Sequence, residues 1–218
     1  MPEYDKKVKK QLKLLRPQIE EHLKKSVSEK RFNHITNVAK TAKKYAKKLG
    51  LDHYKAELSG LLHDLAKELP DEKLLEIAKE KNIELDEIDY KNPHILHARV
   101  SEIIAKEKFQ VEDPDILSGI RCHTLAEPNM SKLTMVVYLA DATEGDRERK
   151  FAAPIRKTFK EKGLEHAVLQ TIDKKLIHII EKGGRIHPLT IKARNWLVEL
   201  QTFYSEVTVN PLTSMSGL

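Results

Sequence analysis

The sequence holds a single cysteine, Cys122, so neither a disulfide framework nor a cysteine-rich zinc site can be built. Aromatic residues make up only 6% of the chain, and 8 glycines and 9 prolines are all that interrupt its 218 residues. No run of about 18 apolar residues occurs, which excludes a membrane-spanning helix. The basic first residues, MPEYDKKVKKQLKLL, contain no uninterrupted apolar segment. No secretory signal is therefore visible, and a cytoplasmic location is expected. Alternation of period two is missing as well, with Val207 to Val209 the one strand-like stretch. Neither GxxxxGK(S/T) nor GxGxxG occurs, so any phosphate this chain handles must be met by metal and by side-chain cations.

What is present reads as helix after helix. Apolar residues form 40% and charged residues 33% of the chain, a balance that supports a folded core. The net charge of +6 favours anionic partners, but most lysines alternate with glutamates, the pattern of a solvated helix surface. Val8, Leu12, Leu15, Ile19 and Leu23 keep a helical period, gently broken at Pro17. Ser28 is placed to cap a helix that stops at Gly50, Asp52 one over Tyr54 to Leu65, and Asp71 a short one over Leu74 to Lys79. Asn82 to Pro93 is acidic and irregular, read as a loop or lid edge. Helices are expected over His94 to Lys108, Pro114 to His123, Ser131 to Thr143 and Gly163 to Gly183-Gly184. Thr190 is read as the cap of a last helix, Ile191 to Tyr204, and Gly145 to Pro154 as a charged connection. The expected organisation is all-α: a helical extension over 1–27, a domain over 28–205 and a loose tail over 206–218.

The histidines number 10, and their placement is informative. His63-Asp64 closes the apolar segment Leu58 to Leu65, and alone it could be a packed histidine beside a capping aspartate. His34 lies on an amphipathic segment, RFNHITNV. His97 opens LHARVSEII, His123 closes ILSGIRCHT, and Asp141 ends the apolar run MVVYLAD. A helical bundle can bring such side chains to one point. Nitrogen and oxygen ligands without sulfur suit iron, manganese or zinc. His22, His53, His166 and His178 have no motif around them and are read as surface or structural. His94 lies near His97 at a helix start. Cys122 is read as a packed small side chain, and Trp196 as core of the last helix.

The order first His, His-Asp pair, distal Asp resembles the HD-domain metal phosphohydrolases. The strings RFNHITNVAKTA, KAELSGLLHDLAKELP, ILHARVSEII, ILSGIRCHT with MSKLTMVVYLADATEGDR, and RIHPLTIKARNWL are similar to one branch, the bacterial YqeK family of symmetrical diadenosine tetraphosphate hydrolases. The likeness covers roughly residues 28–200. The chain departs from that pattern at Ala98, where glycine is usual, and at Ala142, Thr143 and Gly145, while Asp141, Glu144 and Arg147 remain. The resemblance implies an HD-type helical bundle closed by carboxy-terminal helices. It implies one metal held by His34, His63, Asp64 and Asp141, and a second held by His97 and His123 with Asp64 bridging. It also implies iron as the metal, and a dinucleoside polyphosphate as the small-molecule substrate, cleaved symmetrically into two ADP.

Around that set, Arg31 lies one turn before His34 and Lys67 one turn after Asp64, and Arg147 follows Asp141. These cations can neutralise a polyphosphate, with Asp64, Lys67 and Arg147 expected in the catalytic machinery. Arg31, His97, His123, Thr124 and Arg147 are expected to bind substrate. The resemblance adds the nucleotide-pocket segment Gly184, Arg185, Ile186 and His187, whose glycines also read as a helix end and turn. Two other functions share these features: an HD phosphohydrolase acting on a nucleoside monophosphate or cyclic dinucleotide, and a non-catalytic nucleic-acid-binding protein. The scattered lysines and the lack of an aromatic-basic RNA motif speak against nucleic acid. A homodimer is left open.

Overall fold

In the computed structural model, which describes residues 3–147 and 149–209, the described residues are helical or in turns, with no strand among them. The helices are α1 (Glu3–Ser26), α2 (Glu29–Lys48), α3 (His53–Leu62), α4 (Asp71–Glu80), α5 (Glu87–Lys91), α6 (His97–Phe109), α7 (Pro114–Cys122), α8 (Lys132–Thr143), α9 (Arg149–Glu161), α10 (Leu164–Glu181) and α11 (Pro188–Val209), with a 3₁₀ turn over Pro93–Leu96.

Two short helices organise the rest. In α3 every residue from Ala56 to Leu62 is buried, and in α8 every residue from Leu133 to Thr143. A helix apolar all round belongs in a core. Both begin at side-chain caps. Asp52 Oδ1 accepts from the Tyr54 and Lys55 amides at 2.9 and 3.1 Å, and Ser131 Oγ from the Thr134 amide at 3.2 Å. Gly60 lets α3 lie against α2, since a Cβ there would sit 2.8 Å from Ala39 Cα. The buried Glu57 of α3 is held by Arg16 of α1 and by Lys43 of α2, the latter at 2.7 Å.

Three apolar clusters surround this centre. α1 contributes Ile19 and Leu23 to one that includes Leu58, Leu61 and Ile120. α8 joins α9, α10 and α11 through Tyr138, Ile155, Ile172 and Leu197. Leu74, Leu96 and Val100 form the third, beneath α4. The chemistry-bearing residues sit where the ends of α3, α7 and α8 and the start of α6 meet the second turn of α2.

Several local expectations need correcting. Pro17 does not break α1: its ring and the Lys13 turn it deprives of a hydrogen bond are exposed, so water satisfies the freed carbonyl. The α3 helix ends at Leu62 and not Leu65, with turns carrying the chain on. The cap position of α4 is Pro70, with Asp71 the first helical residue. The acidic stretch 82–93 is not merely a loop, because Asp86 and Asp89 form a capping box that starts α5. Pro154 lies inside α9, so the connection is shorter than its charge suggested. The last helix starts at Pro188, and Thr190 instead donates its hydroxyl to the Leu125 carbonyl at 2.8 Å. Val207 to Val209 are helical, continuing α11. Of the expected loose tail, residues 210–218 lie outside the described residues, and 206–209 belong to α11.

Candidate metal centre and cleft

His34 from α2, His63 and Asp64 after α3, His97 at the start of α6, His123 after α7 and Asp141 near the end of α8 converge as the helix ends meet. The two oxygens of Asp64 face different partners. Oδ2 lies 3.4 Å from His63 Nε2 and 3.8 Å from His34 Nε2. Oδ1 lies 3.3 Å from the Nε2 of both His97 and His123. Asp141 Oδ1 closes the first group, 3.1 Å from His34 Nε2 and 3.9 Å from His63 Nε2. The His97 and His123 Nε2 atoms are 3.1 Å apart.

The tautomers follow from the hydrogen bonds. A backbone carbonyl can only accept, so Nδ1 donates to Gly60 from His63 and to Ile120 from His123, each at 2.7 Å, and to His94 from His97 at 2.5 Å. His34 Nδ1 lies 3.2 Å from the buried Glu144 carboxylate. Each ring held this way turns the lone pair of Nε2 inward. His63 Nε2 and Asp64 Oδ1 are buried with no hydrogen-bond partner among the described residues. Lone pairs facing lone pairs are unfavourable unless a cation lies between them. Nitrogen and carboxylate donors fixed by outer hydrogen bonds are the donor set of a divalent metal site. With metal–ligand bonds of about 2.0–2.2 Å, atoms sharing one ion lie roughly 3–3.5 Å apart, which the spacings above approach.

The protonation states of Asp64, Asp141 and His123 agree. Burial pushes the Asp64 carboxyl up, but His63, His123 and His97 outweigh it and hold it well below the usual range. For Asp141 burial is likewise outweighed, by His34, Arg147 and Lys175. Burial, with His63 and His97 nearby, pushes His123 down to about 4 despite Asp64, so it is neutral and able to ligate. His63 moves the other way: burial lowers it, but Asp64, Asp141 and the Gly60 carbonyl raise it further.

The expected cations surround these groups. Arg31 Nη1 donates to Asp64 Oδ2 at 2.8 Å. Arg147 donates to Asp141 twice, Nη2 to Oδ1 at 2.6 Å and Nε to the backbone carbonyl at 2.7 Å. Lys67 Nζ lies 3.3 Å from His97 Nε2, its pKa lowered by burial. The Thr124 hydroxyl is 3.1 and 3.0 Å from the Nε2 atoms of His97 and His123. All open into a cleft of about 700 Å³ that is also lined by Ala142, Phe151, Lys175, His178 and Ile179. A second hollow, of about 680 Å³, shares Arg31 and Arg147 with it and is also lined by His34 and Glu144.

The segment Gly184 to His187 is not brought to this centre. Gly184 turns the chain back onto α10, its amide bonded to the Ile179 carbonyl at 2.8 Å. Arg185 and Ile186 line a separate hollow with Asp86, Ile88 and Lys91. His187 Nε2 faces Asp89 Oδ1 at 3.5 Å and Asp86 Oδ2 at 3.7 Å. The Leu189 amide donates to His187 Nδ1 at 3.1 Å, so Nε2 carries the hydrogen and is no metal ligand. These contacts tie the approach to α11 to α5.

Two groups escaped the sequence reading in their roles. Glu144, noted only as a retained family residue, is the outer partner of His34. Lys175 sits on α10 in phase with Val168, Ile172 and Ile179, and a lysine on an apolar stripe was the available signal. His178 and His94, set apart from the ligand set, both line the cleft. His22 and His53 have structural surroundings, edge-on to Phe109 and stacked on Tyr54. Cys122 is buried, and burial followed by Glu127 pushes its thiol up to about 12, which makes it inert at neutral pH. Trp196 packs against the core as expected.

An all-helical bundle in which histidines and aspartates from five segments meet in a cationic cleft is a metal-binding domain of the His-Asp class. The HD-domain profile matches residues 31–146, and the chain belongs to the HD-domain family. It is 33% identical to the symmetrical bis(5'-nucleosyl)-tetraphosphatase of Bacillus subtilis over 81% of this chain and 94% of that one. It is 31% identical to the protein of the same name from Halalkalibacterium halodurans, over 87% and 96% of the two chains. A crystal structure from Clostridium acetobutylicum, described as a predicted HD superfamily hydrolase involved in NAD metabolism, superposes with a TM-score of 0.81. That protein is 38% identical, over 84% of this chain and 97% of its own.

Proposed function

We propose that this protein is a metal-dependent hydrolase that cleaves diadenosine tetraphosphate symmetrically into two molecules of ADP. The observation that carries the reading is a pair of buried atoms, His63 Nε2 and Asp64 Oδ1, without a hydrogen-bond partner among the described residues, with Asp64 lining a cleft beside Arg31, Lys67 and Arg147. The activity named for the relatives from Bacillus subtilis and Halalkalibacterium halodurans agrees with it.

In this reading His34, His63, Asp64 and Asp141 would hold one ion, and His97, His123 and Asp64 would hold a second. Iron is the proposed metal, with manganese or zinc compatible with the same donors. Bound metal supplies Lewis acidity to phosphoryl oxygens and lowers the pKa of a water. The chain's own residues do the rest. Arg31 and Arg147 place positive charge beside the scissile region while orienting Asp64 and Asp141. Thr124 and Lys67 offer donors to the phosphoryl oxygens. Water adds to one inner phosphorus, the bridging oxygen between the two inner phosphates leaves with the other half, and each product is a nucleoside diphosphate. Phe151, Ile179 and Ala142 give a nucleoside an apolar wall.

The test is chromatography of an early time point with metal-loaded protein and diadenosine tetraphosphate. ADP alone is expected. ATP with AMP means asymmetric attack and overturns the reading, as does turnover confined to nucleoside monophosphates or cyclic dinucleotides.

A further inference from the structure

The cations of the cleft are not equivalent. Arg31 and Arg147 are engaged with Asp64 and Asp141, and Lys67 lies against the His97 ring. Lys175 differs. Among the described residues no carboxylate lies within ion-pairing distance of its Nζ, which sits 4.1 Å from the centre of the fully buried Tyr138 ring. Its neighbours on the same face of α10, His178 and Ile179, also line the cleft, three and four residues on, and Phe151 of α9 joins them. An apolar side chain here would extend the stripe of Val168, Ile172 and Leu176. A half-buried ammonium over an aromatic face carries a desolvation cost that Asp141, too far away for an ion pair, offsets only in part.

Resting on the function proposed above, we infer that Lys175 binds a phosphate of the substrate on the nucleoside side of the metal centre, next to the apolar wall of Phe151 and Ile179. A nucleotide spans the two: its terminal phosphoryl at the metal centre, its nucleoside against Ile179, and the phosphate between them at Lys175. Lys175 is then a substrate-binding residue that favours nucleoside polyphosphates over isolated phosphoryl groups.

Titration calorimetry of the metal-loaded protein with ADP and with inorganic phosphate tests this, alongside KM for diadenosine tetraphosphate. Lys175→Met keeps the stem over Tyr138 and removes the charge, and Lys175→Arg keeps a charge. In Lys175→Met, ADP affinity is expected to fall about tenfold and KM to rise in step. Affinity for inorganic phosphate should stay within about twofold, metal content should be unchanged, and Lys175→Arg should recover most of the loss. Equal ADP affinity in Lys175→Met and wild type overturns the inference and leaves the function standing. Parallel loss of ADP, phosphate and metal in both variants also overturns it, since that marks a structural role. A wild-type protein that binds no ADP overturns the function itself.

Discussion

Glu144 offers the sharpest test of the metal centre, because it touches no substrate in the proposed reading and acts through His34. Its carboxylate is buried. Oε1 lies 3.2 Å from His34 Nδ1, and Oε2 accepts from the Asp146 amide at 2.7 Å. The first contact fixes the His34 tautomer and the direction of Nε2, which lies 3.1 Å from Asp141 Oδ1. Outer partners of metal-bound histidines are worth about 10–100-fold in metal affinity, roughly 1.4–2.8 kcal/mol. Glu144→Ala is therefore expected to weaken metal binding by that factor. Glu144→Gln should lose less, because its amide oxygen still accepts from Nδ1. Competition with a chromophoric chelator measures the affinity, and circular dichroism establishes that both variants are folded. A folded Glu144→Ala protein with wild-type metal affinity would refute the argument that the outer carboxylate orients the ligand.

The other predictions follow from the same geometry. Asp64→Ala should remove metal and activity together, since its two oxygens face both ligand groups; full metal occupancy with normal turnover would exclude that role. His97→Ala and His123→Ala should each retain about half of the metal while activity collapses, and wild-type turnover in both would favour a single-ion mechanism. Arg147→Ala should lower turnover of diadenosine tetraphosphate by one to two orders of magnitude, as for about 1.5–3 kcal/mol of charge-assisted hydrogen bonding, with metal retained. Metal-free protein should be most heat-stable near pH 6.5. His123 is depressed to about 4 from 6.5, so the unfolded chain binds its proton first and stability falls as pH drops through that window. His63 is raised above 6.5, so its contribution is full below that value and is lost as pH rises through its folded pKa. Melting temperatures of metal-free wild type and His123→Ala between pH 4 and 8 check this, and an unchanged acid limb in the variant would contradict it.

The all-helical fold, the helix starts at Ser28, Asp52 and Ser131, and the inward face of each ligand-bearing segment were legible in the sequence by itself. Those features depend on neighbours within one or two turns: an apolar period near 3.6, a side-chain oxygen before an orphan amide, a histidine at the end of an apolar run. The ordered His, His-Asp, Asp pattern carried the family for the same reason, as a string of local signatures. Local pattern failed where exposure or long-range packing decided, at Pro17 and Pro154 inside helices and at Val207 to Val209 in α11. Only the tertiary structure could set which oxygen of Asp64 faces which histidine, because α3, α6 and α7 must meet for those distances to exist. It alone paired Glu144 with His34 across 110 residues, put Lys175 over Tyr138, and turned His187 toward Asp86 and Asp89 away from the metal centre. Those placements follow from how whole helices cross, fixed by contacts such as Gly60 against Ala39, and no window of sequence a few residues wide contains them.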